Sequence, residues 1–183
     1  LDIAYSNLEL EKTSNEASKV CQLSLATKDM SNYYYAEAQN IKIRITKRIY
    51  SECPPLLFKM KKELQTFYDD KKGWAYYYHA LARYQQNRMI YHDAETHFTK
   101  SVEIAKEVDD LPESFTAMVM IDRCWSYIGL EKYEQVAKDI PTILGYNISR
   151  IDKAHCHTFA CLAGAYLGDK KLFTEHYEHL KGL

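Results

Sequence analysis

The segment Tyr127-Ile-Gly-Leu-Glu-Lys-Tyr133 returns 39 residues later as Tyr166-Leu-Gly-Asp-Lys-Lys-Leu172. Each copy places a glycine after apolar residues and before charged ones, which is typical of a short turn between two helices. One turn earlier in the chain, Tyr91 precedes Tyr133 by 42 residues. A period of about 40 residues therefore predicts a series of similar helix hairpins, with one pair of helices in each period.

Apolar residues recur with a helical period along almost the whole chain. Glycine (6) and proline (4) are scarce among the 183 residues, so few tight turns interrupt the helical pattern. Short polar connectors predict antiparallel neighbours, and the chain is expected to be an all-α domain of about nine or ten helices. We place the helices at residues 2–10, 14–29, 32–50, 55–69, 73–87, 90–108, 112–128, 131–144, 150–167 and 170–181.

One predicted hairpin carries a pattern of small and large residues at Tyr78, Leu81, Ala82, Tyr91, Ala94 and Phe98. Small residues let two helices approach closely, and aromatic residues fill the space beside them. In this pattern the chain resembles the tetratricopeptide repeat family, and its longer period is similar to repeats of bacterial regulatory and sensor proteins. The resemblance implies a right-handed α-solenoid of antiparallel helix hairpins, in which the first helix of each pair lines a concave ligand-binding surface.

A single repeat domain is expected to span residues 1–183. It consists of a partial first repeat and four hairpins, at 1–30, 31–72, 73–111, 112–149 and 150–183. Because the first residue is leucine rather than methionine, we interpret the chain as a fragment of a longer protein.

The resemblance places a ligand-binding groove at Tyr76, His79, Arg83, Gln86, Asn87 and Trp125. All but Trp125 lie at helical spacing on one face of the predicted helix 73–87. Their polar ends suit an extended peptide or its terminal carboxylate. The neighbouring helices are expected to add apolar residues, namely Met118 and Ile121, then His157, Ala160 and Gly164. A solvated helix face is the competing interpretation, because such a face also needs polar side chains.

Two further clusters have both a structural and a functional interpretation. The tyrosines at 33–35 and 76–78 are expected at matching places in successive repeats, where packing between helices is favoured over an aromatic shelf for a ligand. The basic residues of segment 42–48 alternate with isoleucines. They predict an amphipathic helix whose positive outer face is either solvated or in contact with an acidic partner.

Metal and catalytic sites are not favoured by the sequence. His157, Cys161, His176 and His179 are spaced so that one hairpin could hold zinc, but the close cysteine pairs of structural zinc sites are absent. No phosphate-binding glycine loop, nucleophile elbow or His-Glu-x-x-His motif occurs. We therefore expect no enzyme, no cofactor and no metal site.

The charge and composition limit the classes of partner that this chain can have. The formal net charge is −1, from 24 Lys+Arg and 25 Asp+Glu, which gives no basic field for nucleic acid. No signal peptide or long apolar stretch indicates a membrane, and five cysteines without close pairs favour a reducing, cytoplasmic setting. We expect a scaffold or sensor module that binds a protein or peptide within a larger bacterial regulatory protein. The alternative is a homodimerisation platform without a peptide ligand.

Overall fold

The computed structural model describes the backbone of residues 2–66 and 70–182, and the side chains from Leu10 onward within these ranges. The described chain contains helices and no strand, so the prediction of an all-α fold is confirmed. The helices are α1 (Asp2–Thr27), α2 (Met30–Thr46), α3 (Cys53–Thr66), α4 (Lys71–Asn87), α5 (Tyr91–Glu107), α6 (Glu113–Gly129), α7 (Tyr133–Leu144), α8 (Arg150–Leu167) and α9 (Lys170–Gly182). A short 3₁₀ turn, Tyr50–Glu52, precedes α3.

Two of the predicted helix boundaries are wrong. Segments 2–10 and 14–29 form one helix, α1, because neither glycine nor proline interrupts its sequence. The predicted helix 32–50 ends at Thr46, where Arg48 adopts a φ of 59° and turns the chain. The end of the predicted helix 55–69 lies outside the described residues.

Successive helices pack against each other, and the even-numbered helices also contact one another in the order α2, α4, α6 and α8. Each of α3, α5 and α7 packs against the even-numbered helix before it and the one after it. At the two ends, α1 packs on α2 and α9 packs on α8. The even-numbered helices therefore form a continuous row, and the candidate site lies on that row.

The four even-numbered helices end in the same backbone turn. Arg48, Met89, Glu131 and Gly168 have φ values between 57° and 70°. In every case the amide of the following residue donates to the carbonyl five residues before it, at 2.8–2.9 Å. This is the left-handed helix cap with its long reverse hydrogen bond, which turns the chain sharply into the next helix. The four turns follow one another at intervals of 41, 42 and 37 residues.

The buried side chains form two clusters that meet at α4. The first cluster lies among α1, α2, α3 and α4, and Tyr34 and Leu64 are fully buried in it. The second lies among α4 to α8, and Phe98 and Ile140 are fully buried in it. Because α4 contributes buried residues to both clusters, it fixes the row of even-numbered helices on either side of it.

Candidate ligand-binding groove

A groove of about 680 Å³ runs across the row of even-numbered helices. This volume falls within the roughly 300–1,000 Å³ that is usual for ligand sites in proteins. The residues that line the groove are Asn32, Tyr35, Lys42, Tyr76, Arg83, Pro112, Ser114, Phe115, Met118, Ile121, Asp122, Trp125, Asp152 and His155. They come from all four even-numbered helices and from the turn before α6, so the groove depends on the stacking of the whole row.

Many of the lining residues fall into two rows that cross the helices. The first row consists of Tyr35, Tyr76, Met118 and His155, each five positions after the first residue of its helix. The second row consists of Lys42, Arg83 and Trp125, each seven positions further on. The intervals along the first row are 41, 42 and 37 residues, and they equal the intervals between the left-handed turns.

Edge-to-face ring contacts join Tyr35 and Tyr76 of the first row to each other and to the neighbouring Phe115. Tyr35 packs against Tyr76 with ring centroids 5.4 Å apart, and Tyr76 packs against Phe115 at 5.1 Å. Burial raises the pKa of Tyr76 to about 12, so its hydroxyl stays protonated near neutral pH and can donate a hydrogen bond. At the other end of the groove, Trp125 packs edge-on against Phe159 at 4.9 Å while half of its side chain stays exposed. The groove thus offers preformed aromatic surface.

A polar network at the floor of the groove joins α4 to α6. The Arg83 guanidinium donates from Nη1 to Oδ1 of Asp122 at 2.6 Å, and Nε2 of His79 lies 2.8 Å from Oδ2. Nε2 of Gln86 donates to the backbone carbonyl of Asp122 at 2.6 Å and to the Ser126 hydroxyl at 2.9 Å. All these hydrogen bonds run from α4 to one turn of α6, so they fix the register between the two helices.

The charges in this network are balanced. Burial alone would raise the pKa of Asp122, but Arg83 and His79 together lower it to about 2. Burial lowers the pKa of His79 and outweighs the neighbouring carboxylate. Near neutral pH, Asp122 is therefore ionised and His79 is neutral, with its Nε2–H donating to the carboxylate.

The six predicted groove residues are divided between three settings. Tyr76, Arg83 and Trp125 line the groove. Gln86 and Asn87 line an adjoining cavity of about 280 Å³, together with Arg83 and Trp125. His79 is buried, and its ring holds Asp122 rather than facing the open groove.

Met118 and Ile121 line the groove as expected, but the residues predicted for α8 do not. His157, Ala160 and Gly164 are buried, and His157 faces α9, where its Nδ1 lies 2.7 Å from Nδ1 of His176. The prediction carried an interval of 39 residues from α6 to α8, whereas the turns are 37 residues apart. Because each residue rotates a helix by about 100°, an error of two residues moves the predicted face to the opposite side.

Sequence reasoning missed Lys42, which it placed on a positive outer face. In the structure the flanking residues Ile41 and Ile43 are buried and Lys42 lines the groove. Lys42 precedes Arg83 by 41 residues, which is also the interval between Tyr35 and Tyr76. This shared interval was the sequence signal that could have identified Lys42. The two tyrosine clusters are accordingly displaced from each other by two positions and do not match residue for residue.

The zinc hypothesis finds no support in the geometry. Within residues 10–66 and 70–182, no group of three or more His, Cys, Asp or Glu side chains is arranged to hold a metal ion. His157 and His176 bond to each other, and the Cys161 thiol donates to the Phe173 carbonyl with Sγ 3.7 Å from the oxygen. Burial raises the pKa of Cys161, so its thiol is a poor source of the thiolate that zinc requires.

Comparisons with known proteins give no match. No family model fits the chain, and neither curated proteins nor solved structures show significant similarity to it. In the part of the chain that the structure describes, no helix has the length and apolar character needed to cross a bilayer. The function is therefore inferred from the groove itself.

Proposed function

We propose that this chain is a recognition module without enzymatic activity, and that it binds a peptide segment of another protein in the groove. The observation that supports this function is the pair of side-chain rows, one across α2, α4, α6 and α8 and the other across α2, α4 and α6. An elongated ligand that crosses these helices meets an aromatic ring or a hydrogen-bonding group at each one. A regular series of such contacts suits a peptide, whose side chains also recur at regular spacing.

The architecture in this proposal is a right-handed α-solenoid of tetratricopeptide-like hairpins within a larger, cytoplasmic regulatory protein of bacterial type. The recurrent left-handed turns and the matching rows support a repeated unit. In a stack of repeats each unit contacts mainly its neighbours, so a ligand that spans several units favours one curvature of the stack. An attached effector domain could sense that change.

Trp125 allows a direct test, because the chain contains two tryptophans and the Trp74→Phe variant leaves Trp125 as the single reporter. We expect pools of short apolar and mixed peptides to change its emission saturably. Tyr35→Ala should weaken this binding by about tenfold, because it removes a half-exposed ring from the groove.

Phe58→Ala is the matched control, since Phe58 is an exposed ring on α3 outside the groove. It should leave the affinity unchanged. A lack of response to every pool, or equal effects of the two substitutions, would contradict peptide binding in the groove.

A second candidate function, homodimerisation without a peptide ligand, is favoured by one feature of α9. Phe173 and Tyr177 stack with centroids 5.8 Å apart, and both rings are more than one-third exposed. Exposed aromatic surface of this kind is common at protein interfaces. Sedimentation of the wild-type chain and a Phe173→Ser variant separates the two functions. A dimer that the variant disrupts supports assembly, whereas a monomer at all concentrations excludes it.

A further inference from the structure

The second row of the groove changes its chemistry from one end to the other. Lys42 on α2 and Arg83 on α4 supply cations, whereas the equivalent residue of α6 is Trp125. Trp125 packs against the buried ring of Phe159 on α8, which supports the exposed indole from beneath. Within this row, the end over α2 and α4 is therefore cationic and the end over α6 is aromatic, so the two ends favour different ligand groups.

The two cations differ in how their charges are balanced. Arg83 is paired with Asp122, while its Nε is buried and has no hydrogen-bond partner. Among the described residues, the Lys42 ammonium has neither a hydrogen bond nor an ion pair. Lys42 is thus a cation on the groove wall that the protein itself does not neutralise by direct contact.

The environment of Lys42 disfavours an isolated charge. Burial and the charge of Arg83 lower the pKa of Lys42, and the carboxylates of Asp122 and Asp152 only partly oppose them. Asp122 is engaged by Arg83 and His79, and Asp152 accepts a hydrogen bond from the Ser149 hydroxyl. A partly desolvated ammonium next to another cation gains from any anion that reaches it.

We propose that the ligand is a peptide with a carboxylate bound by Lys42 and Arg83 over α2 and α4, and an apolar or aromatic side chain bound by Trp125 over α6 and α8. This inference rests on the proposed function and specifies its ligand. The carboxylate belongs to an acidic side chain or to a free C-terminus, since both present the same group. The separation of the two subsites sets the direction in which the peptide crosses the helices.

A phosphate-bearing ligand fits this groove less well. The carboxylates of Asp122 and Asp152 line the same cavity, and a phosphate carries close to two negative charges near neutral pH. A single carboxylate balances the Lys42 ammonium, whereas a phosphate adds repulsion from both acidic residues. Charge complementarity thus selects a carboxylate.

Three sets of short synthetic peptides with the same apolar residues test the ligand chemistry. The first set carries an acidic residue and an amidated C-terminus, the second has only a free C-terminal carboxylate, and the third has neither. Binding is followed through Trp125 emission in the Trp74→Phe protein. We expect at least one carboxylate-bearing set to bind about tenfold more tightly than the neutral set, and comparison of the first two identifies the source of the carboxylate.

Substitutions at Lys42 assign that preference to the groove. Lys42→Met should remove most of the difference between acidic and neutral peptides, because it deletes the charge and keeps the aliphatic stem. Lys42→Arg should retain the difference. Lys138→Met, which deletes an exposed charge on α7, is the matched control and should have no effect.

A benzophenone at the apolar end of the best peptide tests its direction. It should crosslink to α6 or α8 under illumination, and crosslinking to α2 would overturn the proposed direction. Equal binding of all three sets, or a preference that persists in Lys42→Met, would overturn the carboxylate assignment. Neither result would contradict peptide binding in the groove. Failure of every set to bind would overturn the proposed function and this inference together.

Discussion

Asp122 is the residue on which the groove floor depends. It is nearly inaccessible, and three side chains of α4 bond to its carboxylate or backbone. A buried carboxylate is tolerable only when it is paired and hydrogen-bonded, which Arg83 and His79 achieve here. The same contacts orient Arg83, so the stability of the fold and the shape of the groove both depend on Asp122.

Replacing Asp122 should therefore be costly. We expect Asp122→Ala to lower the free energy of unfolding by about 3 kcal/mol, because it leaves a partly buried Arg83 without its counter-ion. Urea unfolding followed by circular dichroism measures this change. Glu178→Ala, which removes an exposed ion pair with Lys181, is the control and should change stability far less, because water screens this pair. Similar losses in the two variants would contradict a central role for Asp122.

At the scale of single elements, α9 is attached to α8 through a pair of buried histidines. Nδ1 of His157 and Nδ1 of His176 are 2.7 Å apart, and His179 stacks on His157 with centroids 4.8 Å apart. Such a bond requires that one Nδ1 carries a proton and the other does not. Full protonation of both rings would place two N–H groups against each other and break the contact.

The attachment of α9 should consequently depend on pH. Burial, assisted by neighbouring histidines, lowers the pKa of both His157 and His176 below the ordinary 6.5. Below about pH 6.5 the unfolded state therefore binds more protons than the folded state, so stability is complete above this pH and falls as the pH decreases. We expect the amides of α9 to lose more protection than those of α5 between about pH 7.5 and pH 5.5, as measured by hydrogen exchange corrected for intrinsic rates.

A His176→Gln variant tests the origin of this effect. Glutamine cannot be protonated in this range, so the extra loss of protection in α9 should largely disappear. His179, Lys153 and Glu175 also act on these two rings and are present in both proteins, so the comparison isolates the contribution of His176. An undiminished pH response in the variant would show that another group is responsible.

At the scale of the whole molecule, the two buried clusters are joined mainly through α4. Leu64 lies in the cluster among α1 to α4, and Ile140 lies in the cluster among α4 to α8. Both side chains are fully buried, so truncation of either one to alanine leaves a cavity of comparable size. The pair therefore allows damage to each half of the molecule to be compared directly.

We expect Leu64→Ala to increase hydrogen exchange most in α2 and α3, and Ile140→Ala to increase it most in α6 to α8. Each substitution should cost about 3 kcal/mol in the half that contains it. The physical reason is that contacts reach mainly from one helix to its neighbours, so damage spreads only partly along the row. Uniform exchange increases across all helices in both variants would indicate one fully cooperative unit.

Local sequence determined the helices of this protein and the approximate places where they end. The apolar period is a property of each segment. From Lys71 onward, nearly every helix boundary predicted from it matches the structure. The repeated spacing also pointed to Tyr76, Arg83 and Trp125, which line the groove. Residues at helical spacing share one face of a helix whatever that helix packs against.

Tertiary packing alone decided which side of each helix faces the groove. The sequence predicted Lys42 on an outer face and His157 in the groove, whereas Lys42 lines the groove and His157 is buried against α9. The orientation of a helix depends on its contacts with neighbouring helices, and an interval that differs by two residues turns it by about 200°. Burial of His79 against Asp122 likewise required the meeting of α4 and α6, since residues so distant in sequence reveal their pairing only when the helices are packed.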